Sequence, residues 1–268
     1  MRAKPAIAVC FFGITRSLKH TIASIEAQVL APARELGQLK IYAHFFRQET
    51  IDNPRSGEKG HFDLEEHRLL DAHWLRHEEP ELCLEEWNVE GLKPYGDTWK
   101  DGFRSLRNLV HQLHSLDCVT KAALDDRADI AVFCRPDLQY HYSLRGAMLR
   151  ARRSSRTLAQ VPYWQRWHGR NDRFAIVAGA TAMAAYGQRI RLAHTFCQER
   201  SRPLHSERLV SFALERAGVP IRTIAARASR VRMDGTRVEE DFAHPWSRRI
   251  REKSGLNVDP AIRSFYRF

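Results

Sequence analysis

From Ile130 to Cys134 the chain runs Ile-Ala-Val-Phe-Cys without a polar side chain. A run so short and so uniformly apolar fits a strand covered on both faces, as strands inside a parallel sheet are. Arg135, Pro136 and Asp137 follow at once. Proline lacks an N–H and pushes the residue before it into an extended conformation, so the chain leaves the sheet as a stiff segment that aims Asp137 outward. In open α/β sheets, ligands collect where the loops leave the C-terminal ends of the strands. The feature therefore predicts both a sheet and the edge of it that matters.

The rest of the chain supplies the partners of that strand. Ala6 to Phe12 is a second apolar run, followed by Gly13, Thr15 and Ser17 and then by Ile22, Ile25 and Val29 at helical spacing as far as Pro32. Lys40 to Phe46, reading KIYAHFF, is the next strand, and the gap suits a right-handed crossover. Arg47 to His61 is polar and aperiodic and reads as a mobile loop beside the crevice. A helix is expected over roughly Leu64 to His77, and the longest one over Thr98 to Arg127, with Phe103, Leu106, Val110, Leu113 and Leu116 on one stripe. Thr157 to Tyr163, Phe174 to Val177 and Val219 to Ile224 read as further strands, and Ser206 to Ala217 as a helix closed by Gly218. The expected fold is α/β, a mostly parallel central sheet flanked by helices. One domain spans 1–224, and an irregular basic extension, 225–268, packs on it.

Composition narrows the partners. The 268 residues carry 43 Lys and Arg against 32 Asp and Glu, a formal charge of +11, which favours anions such as nucleotides, phosphates or an anionic membrane face. The arginines are dispersed rather than gathered with aromatics, which argues against a nucleic-acid module. Five cysteines without CxxC spacing read as reduced, buried thiols rather than disulfides or a zinc site, and place the chain in the cytoplasm. No apolar run reaches the length of a membrane span.

Four stretches hold candidate chemistry. The loop Gly13, Thr15, Arg16, Ser17 opens a helix and can receive an anion, with Arg16 the residue to touch phosphate; Walker and GxGxxG patterns are absent, and the alternative is a turn glycine with Thr15 or Ser17 as cap. At Arg135-Pro136-Asp137 the choice lies between an anchor for a diphosphate with a divalent ion and a salt bridge at a strand end. Asp172 and Arg173 stand beside Tyr163, Trp164 and Trp167, aromatic faces that suit a sugar, or else they are a turn aspartate beside core tryptophans. His205 and Glu207 flank Ser206 at a helix start, where Ser206 can cap, Glu207 can answer the helix dipole and His205 can hold metal or phosphate. HExxH and GxSxG are absent, and His111 and His114 read as polar-face or core-edge residues of the long helix.

In their order, the strand ending Gly-x-x-Arg-Ser, the YAHFF strand, the long helix before RPDL, NDRFAI with AAYGQR, and HSERLV before Gly-Val, these stretches resemble bacterial glycosyltransferase-like proteins associated with lipopolysaccharide or capsule biosynthesis. The resemblance covers about Ala6 to Ile224. It implies a Rossmann-like GT-A-type fold and transfer of a sugar from a nucleotide sugar to a polysaccharide or lipid-linked glycan. It places the donor at Gly13, Thr15, Arg16, Arg135, Asp137 and Arg173, and the acceptor at Trp164 and Trp167. Catalysis falls to Asp172, first as base, and then to Glu207. Mn²⁺ or Mg²⁺ would sit at Asp137 and His205, although Arg135 stands where that family's DxD motif has its first aspartate, which puts metal dependence in question. A sulfotransferase-like enzyme, suggested by the basic charge and the Gly-Thr-Arg-Ser loop, and a non-catalytic nucleic-acid module are the alternatives. The tail from His244, with Trp246, Phe265, Tyr266 and Phe268 among Arg248, Arg249, Arg251 and Lys253, either packs back on the domain or rests on an anionic inner membrane face.

Overall fold

The computed structural model describes residues 4–53, 58–61, 63–154 and 157–243. The elements in chain order are β1 (Ala6–Gly13), α1 (Leu18–Ile25), α2 (Ala31–Leu36), β2 (Gln38–Phe46), β3 (Thr50–Asn53), β4 (Glu58–His61), β5 (Trp74–Glu78), α3 (Pro80–Glu86), α4 (Arg104–Asp125), β6 (Ile130–Cys134), β7 (Leu138–Tyr140), α5 (Arg145–Arg153), β8 (Leu158–Pro162), β9 (Ala175–Ala178), α6 (Ala180–Gly187), α7 (Ala193–Arg200), α8 (Ser206–Arg216), β10 (Ile221–Ile224) and β11 (Ala228–Arg230). Seven strands form one sheet in the order β10-β8-β9-β6-β1-β2-β5, parallel except for β9, which runs against both of its neighbours. The chain builds outward from β1 through β2 to β5 and then returns to the other side of β1 with β6. That reversal puts a crevice between the C-terminal ends of β1 and β6.

Successive side chains of a strand point to opposite faces, and the packing shows it. Ile7, Val9 and Phe11 join Ile130, Val132 and Cys134 on one face, beneath α1, α2 and α5. Ala8, Cys10 and Phe12 join Ala131 and Phe133 on the other, beneath α4, α6 and α8. Both faces of β1 and β6 are covered, which is why neither strand alternates with polar residues.

Four expectations are corrected. The polar stretch after β2 holds a hairpin, β3 paired antiparallel with β4, with Glu58 buried at its return. The helix expected over Leu64 to His77 is instead a short 3₁₀ turn, Glu66–Leu70, and then the edge strand β5. Asp71 breaks the turn in a left-handed conformation (φ 46°), and β5 pairs along Tyr42 to Phe46, so the unpaired edge of β2 overrides local propensity. The long helix begins at Arg104 rather than Thr98, because the Asp97 carboxylate accepts the backbone N–H groups of Trp99, Asp101 and Phe103 and holds a loop there. The extension is irregular only in part: β11 pairs with β7, and Trp164 and Tyr163 hold residues 226 and 242. The membrane reading of the tail lies outside the described residues, and no described helix is long and apolar enough to cross a membrane.

The α4–α6 contact depends on a missing side chain. A Cβ on Gly187 would fall 1.9 Å from Thr120 Oγ1 and 2.5 Å from its methyl, both fully buried. Gly187→Ala is expected to cost about 1–3 kcal/mol by overpacking, read as a lower urea midpoint with an unchanged slope.

Candidate functional site

The crevice at the strand ends opens into a cleft of about 940 Å³. Its walls come from the loop after β1, the loop before α4, the segment after β6, the turn before β9, the start of α8 and the chain after β11. Asp172 and Arg173 precede β9, and only because that strand is reversed does its N-terminal end reach the same edge as the C-terminal ends of the others.

Asp137 is the hub of the floor. Both of its oxygens are engaged by Arg135, at 2.9 Å and 2.7 Å, and one also by Arg16 at 2.8 Å. Arg16 continues to Glu58 of β4 at 3.1 Å, and Glu58 accepts from Arg232 at 2.7 Å. On the far wall Glu240 accepts from Arg230 at 2.7 Å and lies 3.9 Å from Arg173. Burial alone would raise the Asp137 carboxyl, but the charges of Arg135 and Arg16 outweigh it and hold it well below the usual carboxylate range. Five guanidiniums thus meet three carboxylates, Asp137, Glu58 and Glu240, with Asp172 a fourth beside Arg173. Buried Arg16 Nε has no partner among the described residues.

Asp137 in this structure forms the strand-end salt bridge, the second of the two readings of its motif. Hard dications take oxygen ligands, and both oxygens here face guanidiniums. Neither Asp137 nor His205 belongs to a converging set of three potential metal ligands among the described residues. Gly13, at φ +108°, and Arg16 line the cleft, whereas Thr15 does not. The capping expected of Thr15 or Ser17 is done by Glu66, whose carboxylate accepts the Leu18 N–H at 2.9 Å.

Two further carboxyls face each other across the turn before β9 and the start of α8. Ser206 does not cap α8; its hydroxyl donates to Asp172. Burial would raise Asp172, but the charges of Arg173, Arg189 and Arg135 and the Ser206 hydroxyl lower it, so it stays ionised. Glu207 goes the other way: burial first, then the charge of Asp172, push it up to about 8. His205 Nδ1 lies 3.2 Å from Glu207, its ring stacks on Trp99, and burial lowers it, so it is neutral near pH 7. The turn is packed hard against α8, since a Cβ on Gly169 would meet the Glu207 carbonyl oxygen at 2.0 Å. Gln165, Trp167 and His168 all take positive φ there, a local strain of the kind that clusters at ligand sites.

The two tryptophans separate. Trp164 is fully buried, donates to the Ala226 carbonyl and packs edge-on against Phe242, so it is a core residue and its assignment to an acceptor is corrected. Trp167 is 45% exposed and lines the cleft. Sequence reasoning missed Trp99, 48% exposed on the same cleft, and also Glu58, Arg230, Arg232 and Glu240. No local pattern marks the last four, because each acquires its role from a contact across the fold.

No protein-family model and no curated protein matches this sequence. Among solved structures, mouse xyloside xylosyltransferase 1, in its apo form, superposes with a TM-score of 0.45 and 8% sequence identity, over 82% of this chain and 84% of that one.

Removing the hub carboxylate takes from buried Arg135 its ion-pair partner and from Arg16 one of two, so Asp137→Asn is expected to lose about 3–5 kcal/mol at pH 7 in urea unfolding. The native carboxyl resists protonation while the unfolded one takes its proton near ~3.9, so this stabilisation is present above that value and lost below it. The gap between wild type and variant should narrow as the pH falls from about 5 towards 3; a constant gap would show that the ion pair is not its source.

Proposed function

We propose that the chain is a glycosyltransferase that moves a sugar from a nucleoside-diphosphate sugar to a glycan hydroxyl, with arginines rather than a dication holding the diphosphate. The observation that carries this reading is the arginine-rich floor beside a neutral glutamic acid and an ionised aspartate at one cleft. A diphosphate leaving group gains negative charge as its bond to the anomeric carbon breaks, and preoriented guanidiniums stabilise that charge where it develops. Arg16, Arg135, Arg173, Arg230 and Arg232 occupy that position in the proposal.

The acceptor needs a base and a platform. Glu207 suits the base better than Asp172, because a carboxylate with a value near 8 is far more basic than one held low by arginines. In its ionised form Glu207 takes the proton of the acceptor hydroxyl, the hydroxyl oxygen bonds to the anomeric carbon, and the carbon–oxygen bond to the diphosphate breaks with its electron pair. A single displacement of this kind inverts the anomeric centre. Asp172, still charged, keeps Glu207 basic. Trp167 and Trp99 offer exposed faces for sugar rings.

The direct test is thermal unfolding with UDP, GDP, CDP, ADP and adenosine 3′,5′-bisphosphate, without added divalent ions. A nucleoside diphosphate at a hundred times its Kd adds about 2.7 kcal/mol, a rise of roughly 5–10 °C for a chain of this size. Arg232→Gln is expected to weaken the same nucleotide about tenfold or more, the value of one charge-assisted hydrogen bond. A response to the bisphosphate alone would favour a sulfotransferase, and no response to any of the five would remove the nucleotide-sugar reading.

With a donor in hand, kcat/KM should rise with pH through about 8 as Glu207 deprotonates. Asp172→Asn should move that limb to lower pH, because the charge that raises Glu207 is gone. Glu207→Gln should abolish turnover. It should also raise the melting temperature at pH 7: a group raised on folding disfavours the folded state above its unfolded value near ~4.3, and the amide has no proton to keep. A pH profile unchanged in Asp172→Asn would remove Glu207 from the base's role.

A further inference from the structure

Next to the cleft floor, four potential ligands from three elements converge: His44 on β2, Glu78 at the end of β5, and His114 and Cys118 one turn apart on α4. Their ligand atoms all lie within 4.8 Å of one another. None of them takes part in the proposed transfer.

The hydrogen bonds around His44 leave a gap that a cation would fill. Ser115 Oγ donates its one proton to the His44 carbonyl at 2.7 Å. With its proton so placed it accepts at 3.1 Å from His44 Nδ1, the tautomer with the ring proton on Nδ1. In that tautomer His44 Nε2 is a bare lone pair on a fully buried side chain, without a hydrogen-bond partner among the described residues, 3.3 Å from a carboxylate oxygen of Glu78. Two acceptors at that distance repel unless a positive centre lies between them.

Two of the six edges have the length a tetrahedral ion requires. With metal–nitrogen and metal–oxygen bonds of about 2.0–2.2 Å, ligand atoms of a tetrahedral zinc site sit roughly 3.3–3.5 Å apart. His44 Nε2 to Glu78 is 3.3 Å, and Cys118 Sγ to His114 Nε2 is 3.5 Å. The remaining short edge is a hydrogen bond of 2.6 Å from His114 Nε2 to Glu78, which opens when the ion enters. The outer partners are also in place. Ser115 holds the far nitrogen of His44, and Arg76 holds the other oxygen of Glu78. The Glu86 carboxylate lies 3.7 Å from His114 Nδ1, ready to receive the proton that moves there once Nε2 binds metal, while the Trp87 indole N–H, which now donates to Nδ1 at 2.9 Å, turns away. Cys118 is partly exposed and provides the way in.

We infer that His44, Glu78, His114 and Cys118 form a closed, four-ligand site for Zn²⁺. Two imidazoles, a thiolate and one carboxylate suit zinc over magnesium or calcium. A closed tetrahedral site serves structure, and this one ties β2 and β5 to α4 where Ser115 also receives the Gly13 N–H at 2.8 Å, at the floor of the cleft. Binding releases one proton, that of the Cys118 thiol, while the ring proton of His114 moves from Nε2 to Nδ1.

The test is titration of chelator-stripped full-length protein with Co²⁺ and then Zn²⁺. One Co²⁺ per chain should give the visible bands of tetrahedral cobalt and a thiolate-to-metal charge-transfer band, both erased by one equivalent of Zn²⁺. Cys118→Ser should lose the charge-transfer band, and Cys83→Ser should keep it. Glu86→Gln, on an exposed side chain, should weaken Zn²⁺ about ten- to a hundredfold. Weak octahedral cobalt, less than one ion per chain, or a charge-transfer band that survives in Cys118→Ser would each overturn the site. None of these readings depends on nucleotide binding.

Discussion

One carboxylate, Asp137, joins the two halves of the cleft floor. Arg16 comes from the loop after β1 and Arg135 from the end of β6, and both close on the same side chain. Parallel strands that leave a sheet side by side diverge, and without such a tie their loops would be free to separate. The tie is extended at its edge: Arg16 reaches Glu58 on the hairpin, and Glu58 reaches Arg232 beyond β11. A buried ion pair is a poor source of net stability but a strict enforcer of geometry, because every arrangement that breaks it strands a charge. Here it holds cations at the one edge of the sheet where the topology opens a crevice.

The same network explains what could be read in the sequence and what could not. The strand Ile130 to Cys134, the crossover from β1 to β2 and the helix from Ser206 are local patterns that the fold keeps. The pairing of Arg135 with Asp137 was also legible, as one of two readings of a three-residue motif. The choice between them rests on Arg16, 121 positions away in sequence, which no local pattern reports. Glu58 and Glu240 are ordinary surface glutamates by pattern, yet the fold buries both against arginines. The Trp164 and Trp167 pair fails for a related reason: three residues apart, they part company only because positive φ values at Gln165 and Trp167 turn the chain between them.

The edge strand β5 shows the limit from the other side. Its segment carries histidines and glutamates in a helical spacing, and as an isolated peptide nothing would make it extended. What it gains as a strand is the hydrogen-bonding edge of β2, a benefit that exists only once β2 is in place. The convergence of His44 with Glu78 follows from this pairing, since a helix over the same residues would carry Glu78 away from β2.

The carboxylates of the cleft floor have a consequence for any anion that enters. Arginine side chains are long, and each gives up substantial rotamer freedom when it is fixed in one orientation. On a bare basic patch that loss falls at the moment of association. Here Asp137, Glu58 and Glu240 already fix the guanidiniums, so the loss has been taken up by folding. An incoming anion meets cations already held in place at the cleft and has no disordered surface to order.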